Sequence, residues 1–525
     1  MRLRLAVALM SLVVLAGACG GTDDNPQPAG GQETPLPDDQ QTLTAATPGD
    51  VYITRDKVNL AIWPDNANVC ETLVGLSESL QPVPALATKW TNVGNNTFRF
   101  ELRREVMFHN NTRLTADAVK YSFTRAVDKR NTLNTFLGAD SVKVVDEYTV
   151  DITPTQPNAR LPEQISHPFL SIIAPGTEPA TQPVCTGPFV FGSYSPNDRL
   201  VVTRNEAYWG QKARLKQMTF RFIPDANTRR LALEAGEVDI EWFLAPQQTP
   251  DVMARPGLRV APAPPGATVD LSMNLNGEPG YDILKDADVR RAFGMSLDAK
   301  ALADFWRGTA QVVPGVSPPA VLGPSANLVK GVTTNLTQAE ALLEARGWKK
   351  GADGIREKDG RKLALIVAAQ FDFHPDALPL LQAQARRAGI DLKLEQSPDA
   401  AAYSAKINSG KWDVDVNYFN QNDANPVRIP AQFWGSKTNN ARVKLTNPGT
   451  AFDRLVDEAN NAPDLATSQL KSAEANTELV STTAGAIALT SFPQIYALKS
   501  SVAGFTPHPS VNHQSWTTVF RTATS

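Results

Sequence analysis

Apolar positions along this chain recur with two periods, two and about 3.6 residues, and the two alternate along the body. Phe98, Phe100 and Leu102 interleave with Arg99, Glu101 and Arg103, which predicts a half-buried strand. Thr115 is then placed to cap a helix. Asp117 lies in its first turn, and Val119, Phe123, Ala126 and Val127 share one face. Residues 229–235 read as a short helix closed by Gly236, with a strand over 238–240. Farther on, Thr337 and Glu340 form a capping box ahead of Leu342 and Leu343, and Gly347 is the stop. A strand through Leu363, Leu365 and Val367 leads by a loop at 371–376 into a helix carrying Leu378, Leu381 and Ala385. Gly389 ends that helix, and Ile390, Leu392 and Leu394 form a second alternating strand, completing a βαβ unit. Trp412, Val414, Val416 and Tyr418 predict a strand that ends in the polar loop 420–425, and Phe452, Leu455, Val456 and Ala459 mark an amphipathic helix. Alternating strands and helices without a solenoid repeat predict an α/β or mixed α+β body.

The first residues follow a different grammar. Arg2 and Arg4 precede an apolar run over 5–15 and the small residues Ala16, Gly17 and Ala18, the layout of a secretory signal peptide over 1–18. The run is shorter than the about 20 apolar residues that a membrane span needs. Cys19 follows at once, and the segment resembles the bacterial lipobox, in which that thiol takes a diacylglyceryl group; Ala16 stands where the commonest lipobox has leucine. The resemblance implies a protein on the extracytoplasmic side, anchored to the cell membrane through lipidated Cys19. Residues 19–50 are rich in Gly, Pro, Gln, Thr and Asp and contain no Lys or Arg, which predicts a disordered tether.

The remaining chain, roughly 475 residues, is too large for one ordinary core and predicts two or three packed lobes. The net charge of −3 over the whole sequence and the lack of a basic stripe argue against nucleic acid, and without a second apolar run the membrane is met only through the anchor. No interface signal stands out, so a monomer is expected. After Cys19 only Cys70 and Cys185 remain, an even number in an oxidising compartment, which favours one disulfide over two buried thiols.

Enzyme motifs are absent. His109, His167, His374, His508 and His513 show no zincin spacing, and there is no nucleophile elbow, phosphate loop or dinucleotide fingerprint. The reading is therefore a binding protein without catalytic residues, metal or cofactor. Numerous carboxylates leave a secreted hydrolase as the rival from another class, and a chaperone-like surface protein is a third reading.

Five segments, in order, carry a resemblance across nearly the whole body. They are CETLVGLSESLQPVPALATKW with FRFELRREVMFHNNTRLTADAVKYSF, then TGPFVFGSYSPNDRLVVTRNEAYWG, ALEAGEVDI, LSMNLNGEPGYDILKDADVRRAF and NPGTAFDRLVDEA. Together they resemble the peptide- and nickel-binding family of ABC-transporter solute receptors. The resemblance implies a two-lobed periplasmic-binding-protein-like fold with an extra subdomain in the first lobe and two hinge crossovers. Lobe I would comprise 51–275 plus 486–525, and lobe II 276–485. Cys70 and Cys185 would share a lobe, which makes their pairing sensible. Partners would be an ABC permease and its ATPase subunits, and the ligand most expected is a short peptide. An oligosaccharide, an opine or a metal chelate is the alternative within the family.

The resemblance also nominates site residues. In dipeptide and oligopeptide receptors an aspartate four residues before a proline holds the peptide's ammonium. The matching loop, 420–426, has Asn422 there and Asp423 one place later, beside Asn420. Either Asp423 takes the role, or a neutral amide sits there and the ligand lacks a free ammonium. Trp63, Trp242, Phe243, Tyr418, Phe419 and Trp434 are candidate pocket aromatics, each weighed against core packing. Phe373 and His374 lie in the strand-to-helix loop that faces the cleft in the family, and Arg428 is placed to meet a ligand carboxylate or a neighbouring acid.

Overall fold

The computed structural model describes residues 34–48, 67–129, 136–177, 182–369, 377–438 and 442–523. Cys19, Trp63, Phe373 and His374 lie outside these residues, as do the signal segment and the first part of the tether. The architecture is mixed α/β, as the two interleaved periods predict.

Three sheets organise it. The largest has seven strands in the order Leu258–Pro262, Ile495–Lys499, Ile240–Trp242, Thr42–Thr47, Gln217–Phe222, Arg199–Arg204 and Phe189–Ser195. A four-stranded antiparallel sheet runs Ala87–Gly94, Thr97–Leu102, Thr149–Ile152 and Val142–Asp146. One face of it is covered by the helix Ala116–Lys129, through Val119, Phe123 and Ala126 against Phe98, Phe100 and Val150. The third sheet has six strands, Gln311–Val312, Ala486–Phe492, Ala267–Met273, Val414–Asn420, Ala364–Ala369 and Asp391–Gln396. The expected βαβ unit is here: 364–369 pairs in parallel with 391–396, joined through the helix Ala377–Arg387.

The chain crosses between the seven- and six-stranded units twice, and the crossings touch. The Ala263 amide donates to the Gln494 carbonyl at 2.8 Å. Gly266 follows, pressed so closely against Pro509 that a β-carbon would lie 2.0 Å from its carbonyl oxygen. The strands 267–273 and 486–492 were expected in the first lobe, yet both pair inside the six-stranded sheet.

The tether also ends earlier than its composition predicts. Residues 42–47 form an interior strand, parallel to 217–222 and to 240–242, with Leu43, Ala45, Ala46 and Thr47 buried. Small and β-branched residues fit between two neighbours there, although their polar surroundings read as linker. Two local expectations shift as well. The strand predicted at 238–240 begins at Ile240, and the helix Leu336–Ala345 is capped by Asn335, which accepts from the Gln338 amide, in place of the Thr337 box. Cys70 and Cys185 are joined in a disulfide, with 4.9 Å between their α-carbons. Beside it, half-buried Glu71 accepts from Thr186 Oγ1 at 2.7 Å, Tyr208 Oη at 2.7 Å and Trp209 Nε1 at 3.0 Å. Among the described residues no helix is long and apolar enough to cross a membrane.

Candidate ligand-binding groove

A concavity of about 690 Å³ lies between the four-stranded-sheet unit and the six-stranded unit. One wall carries Phe136, Gln164, His167 and Phe169; the other carries Asp423, Arg428, Gln432 and Asn460. Backbone hydrogen bonds join the two walls. Ala159 donates to the Asn460 carbonyl at 2.8 Å, and Ala424 to that of Glu163 at 3.2 Å. Arg160 Nη2 reaches the Ala462 carbonyl at 3.1 Å while its Nη1 pairs with buried Glu163 at 2.9 Å. A second concavity, about 440 Å³, is lined by Arg103, Arg104, Tyr148, Trp209 and neighbours, none of them from the six-stranded unit. Of the two, the first has the six-stranded unit as one wall, the arrangement that lets closure across the crossovers enclose a ligand.

The polar loop foreseen at 420–426 forms part of the second wall. Asp423 is almost fully buried. Its Oδ1 accepts from the Asn425 amide at 2.9 Å, and its Oδ2 lies 3.7 Å from Arg428 Nε. Burial pushes the Asp423 carboxyl up to about 7, against the pull of the Arg428 guanidinium. Arg428 Nη1 donates to Gln432 Oε1 at 2.8 Å and Nη2 to the Asn420 carbonyl. Of the two partners foreseen for Arg428, the structure thus shows the neighbouring acid. The Asn422 side-chain oxygen is buried without a hydrogen-bond partner among the described residues, while its carbonyl accepts from His513 Nε2 at 3.0 Å.

The candidate aromatics scatter. Trp242 is fully buried between Tyr496 and Trp516, and its Nε1 donates to Gln494 Oε1 at 3.0 Å. It therefore braces the second crossover. Phe243, in a left-handed backbone conformation at φ 68°, stacks on it. Phe419 and Trp434 are core residues packed with Phe433, whose ring centroid is 3.9 Å from that of Phe419. Tyr418 occupies the same strand as Phe419. Of the candidates within the described residues, Asp423 and Arg428 line the groove. Sequence reasoning missed His167 and Phe169. Their rings lie 4.2 Å apart, and His167 Nδ1 accepts from the Phe169 amide at 3.2 Å, capping a single helical turn. The His-Pro-Phe run was the available signal, because a proline fixes such a turn and presents its flanking side chains. Among the described residues no group of three or more His, Cys, Asp or Glu is arranged to hold a metal ion.

The chain is similar in sequence and fold to known extracellular binding proteins. The family model of bacterial extracellular solute-binding proteins, family 5 Middle, matches residues 81–441. The nickel-binding periplasmic protein of Escherichia coli (strain K12) is 29% identical over 360 residues, covering 64% of this chain and 67% of its own. The dipeptide-binding protein of the same strain is 27% identical over 310 residues, covering 51% of this chain and 56% of its own. The crystal structure of NikA from Brucella suis, in complex with Fe(III)-EDTA, superposes with a TM-score of 0.78 at 25% identity, over 91% of this chain and 99% of that one.

Proposed function

The chain belongs to family 5 of the bacterial extracellular solute-binding proteins, and we propose that it is the receptor of an ABC importer, capturing one small ligand in the groove between its units. The observation that carries this is the groove itself: two walls from separately built units, joined by two adjacent crossovers that can serve as a hinge. The lobes follow the sheets. The first holds the seven- and four-stranded sheets and the second the six-stranded sheet, with the crossings near 263–266 and 493–494. Closure makes loaded and empty receptor differ in shape, which is what a permease can read.

A short peptide is the leading ligand, in keeping with the dipeptide-binding relative. Arg428 and Asp423 offer opposite charges on one wall. A second reading, an opine or a metal chelate, is favoured by the engagement of Asp423 with Arg428, which leaves no unpaired carboxylate there for an ammonium. The chain acts without chemistry, delivers its ligand to permease and ATPase subunits, and stays on the membrane through lipidated Cys19.

A thermal-shift screen of short peptides, opines and nickel or iron chelates tests the reading. A ligand at 100 times its Kd stabilises the native state by about 2.7 kcal/mol. A shift with one class, lost in Arg428→Ala, supports the assignment; turnover of any compound in the screen contradicts it.

A further inference from the structure

Three segments meet where the units touch: the hairpin tip 77–81, the C-terminal stretch 508–514 and the groove loop 420–426. Leu80, at the tip, is fully buried although φ is +57°, a region that side chains with a β-carbon rarely adopt. It belongs to one apolar cluster with Leu76 from its own unit and Val321, Leu322, Ala424 and Ala473 from the other. Such a conformation persists only where the surroundings over-determine it. Here the surroundings belong to the opposite unit.

Two histidines complete the junction. His508 Nε2 donates to the Ser77 carbonyl at 3.0 Å, and its Nδ1 accepts from the Ser510 amide at 2.9 Å. The same Nδ1 lies 3.2 Å from the Ser510 carbonyl, so a proton there also has an acceptor. His513, its ring centroid 5.7 Å away, donates from Nε2 to the Asn422 carbonyl across the seam. The charge that reaches His513 is that of His508, and the one that reaches His508 is that of Glu78; Asp423 on the loop is taken by Arg428.

We propose that Leu80, His508 and His513 are positioning residues for the 420–426 loop, a latch that closes it onto the groove while the His513 ring is neutral and releases it on acidification. The proposal rests on reading the groove as the binding site. Burial and the neighbouring His508 push His513 down to about 3, and burial lowers His508 as well. A ring freed by opening returns to about 6.5, so the closed form loses favour as pH falls below that value. At pH 5 one such ring alone favours opening by up to about thirtyfold.

Hydrogen exchange followed by mass spectrometry on the full chain tests this without a ligand. After correction for intrinsic rates, the Ala424 amide should lose up to about thirtyfold in protection between pH 7.5 and 5. The strand 267–273 should not change. His513→Gln keeps a donor but cannot titrate, and should hold the protection at pH 5. Leu80→Ala should raise exchange at Ala424 at both pH values. A wild-type profile that does not depend on pH overturns the latch and needs no variant to fold; so does the same pH response in His513→Gln. A silent ligand screen with a pH-sensitive seam would sink the binding proposal alone, and a bound ligand with an insensitive seam would sink the latch alone.

Discussion

The interior of each unit and the seam between the units are made of different materials. Inside the six-stranded unit, Val269, Leu271, Phe293, Val367, Leu381 and Val416 form one continuous apolar cluster. Inside the seven-stranded unit, Phe189, Phe220, Trp242, Tyr496 and Trp516 do the same, with aromatic rings edge-on or tilted against each other. The seam has few such contacts. It is held by backbone hydrogen bonds, Arg160 reaching across to the Ala462 carbonyl, two imidazoles and one apolar knob. Contacts of the first kind each contribute about 1.5–3 kcal/mol per large side chain. Those of the second kind exchange hydrogen bonds with water and net about 1 kcal/mol each. The units are thus built to stay folded while the seam opens.

Substitutions can sharpen or break that contrast. Trp516→Ala removes a fully buried ring from the core, and should cost about 3–5 kcal/mol in denaturant unfolding. Opening the Cys70–Cys185 disulfide, which closes a loop of 115 residues, should cost about 2–5 kcal/mol while leaving the seam's exchange unchanged. Gly266→Ala places a β-carbon against the Pro509 carbonyl at the crossover and should cost about 1–3 kcal/mol, with ligand affinity falling alongside stability. If Gly266→Ala weakens folding but leaves affinity alone, the crossover is not the hinge.

The smallest effect concerns pH. Asp270 is fully buried with both side-chain oxygens unpartnered among the described residues, and Arg442 is already paired with Asp415 at 3.0 Å. Burial raises the Asp270 carboxyl well above the usual carboxylate range. A raised value means that its contribution is complete below about pH 3.9, the unfolded value, and is lost as pH rises toward the folded one. Asp270→Asn should therefore match the wild type in acid and overtake it on going alkaline, read from denaturant midpoints across pH.

The same contrast explains what the sequence disclosed. Strands and helices that build a core carry a periodic signature, so the 97–102 strand, the βαβ unit and the helix Thr450–Asn460 were legible. The strand 42–47 was not, because Thr and Ala bury there on both faces and leave no alternation to read. Residue type alone also misplaced aromatics. Trp242 and Trp434 look like pocket residues in one dimension but point into cores, while Phe419 turns with Asp415 and Asn417 away from Val414 and Val416. The seam was the least legible part. His508, His513 and Leu80 are brought to the 420–426 loop from sequence distances that no local pattern records.

Native mass spectrometry of the chain purified from Gly20 onward tests the central claim most directly. A receptor that closes on its ligand should carry a single discrete extra mass at neutral pH. That mass should leave on unfolding and resolve as a peptide, an opine or a chelate. Should the protein carry no adduct and take up none from the peptide, opine and chelate panel, the groove would not be a binding site and the account would be wrong.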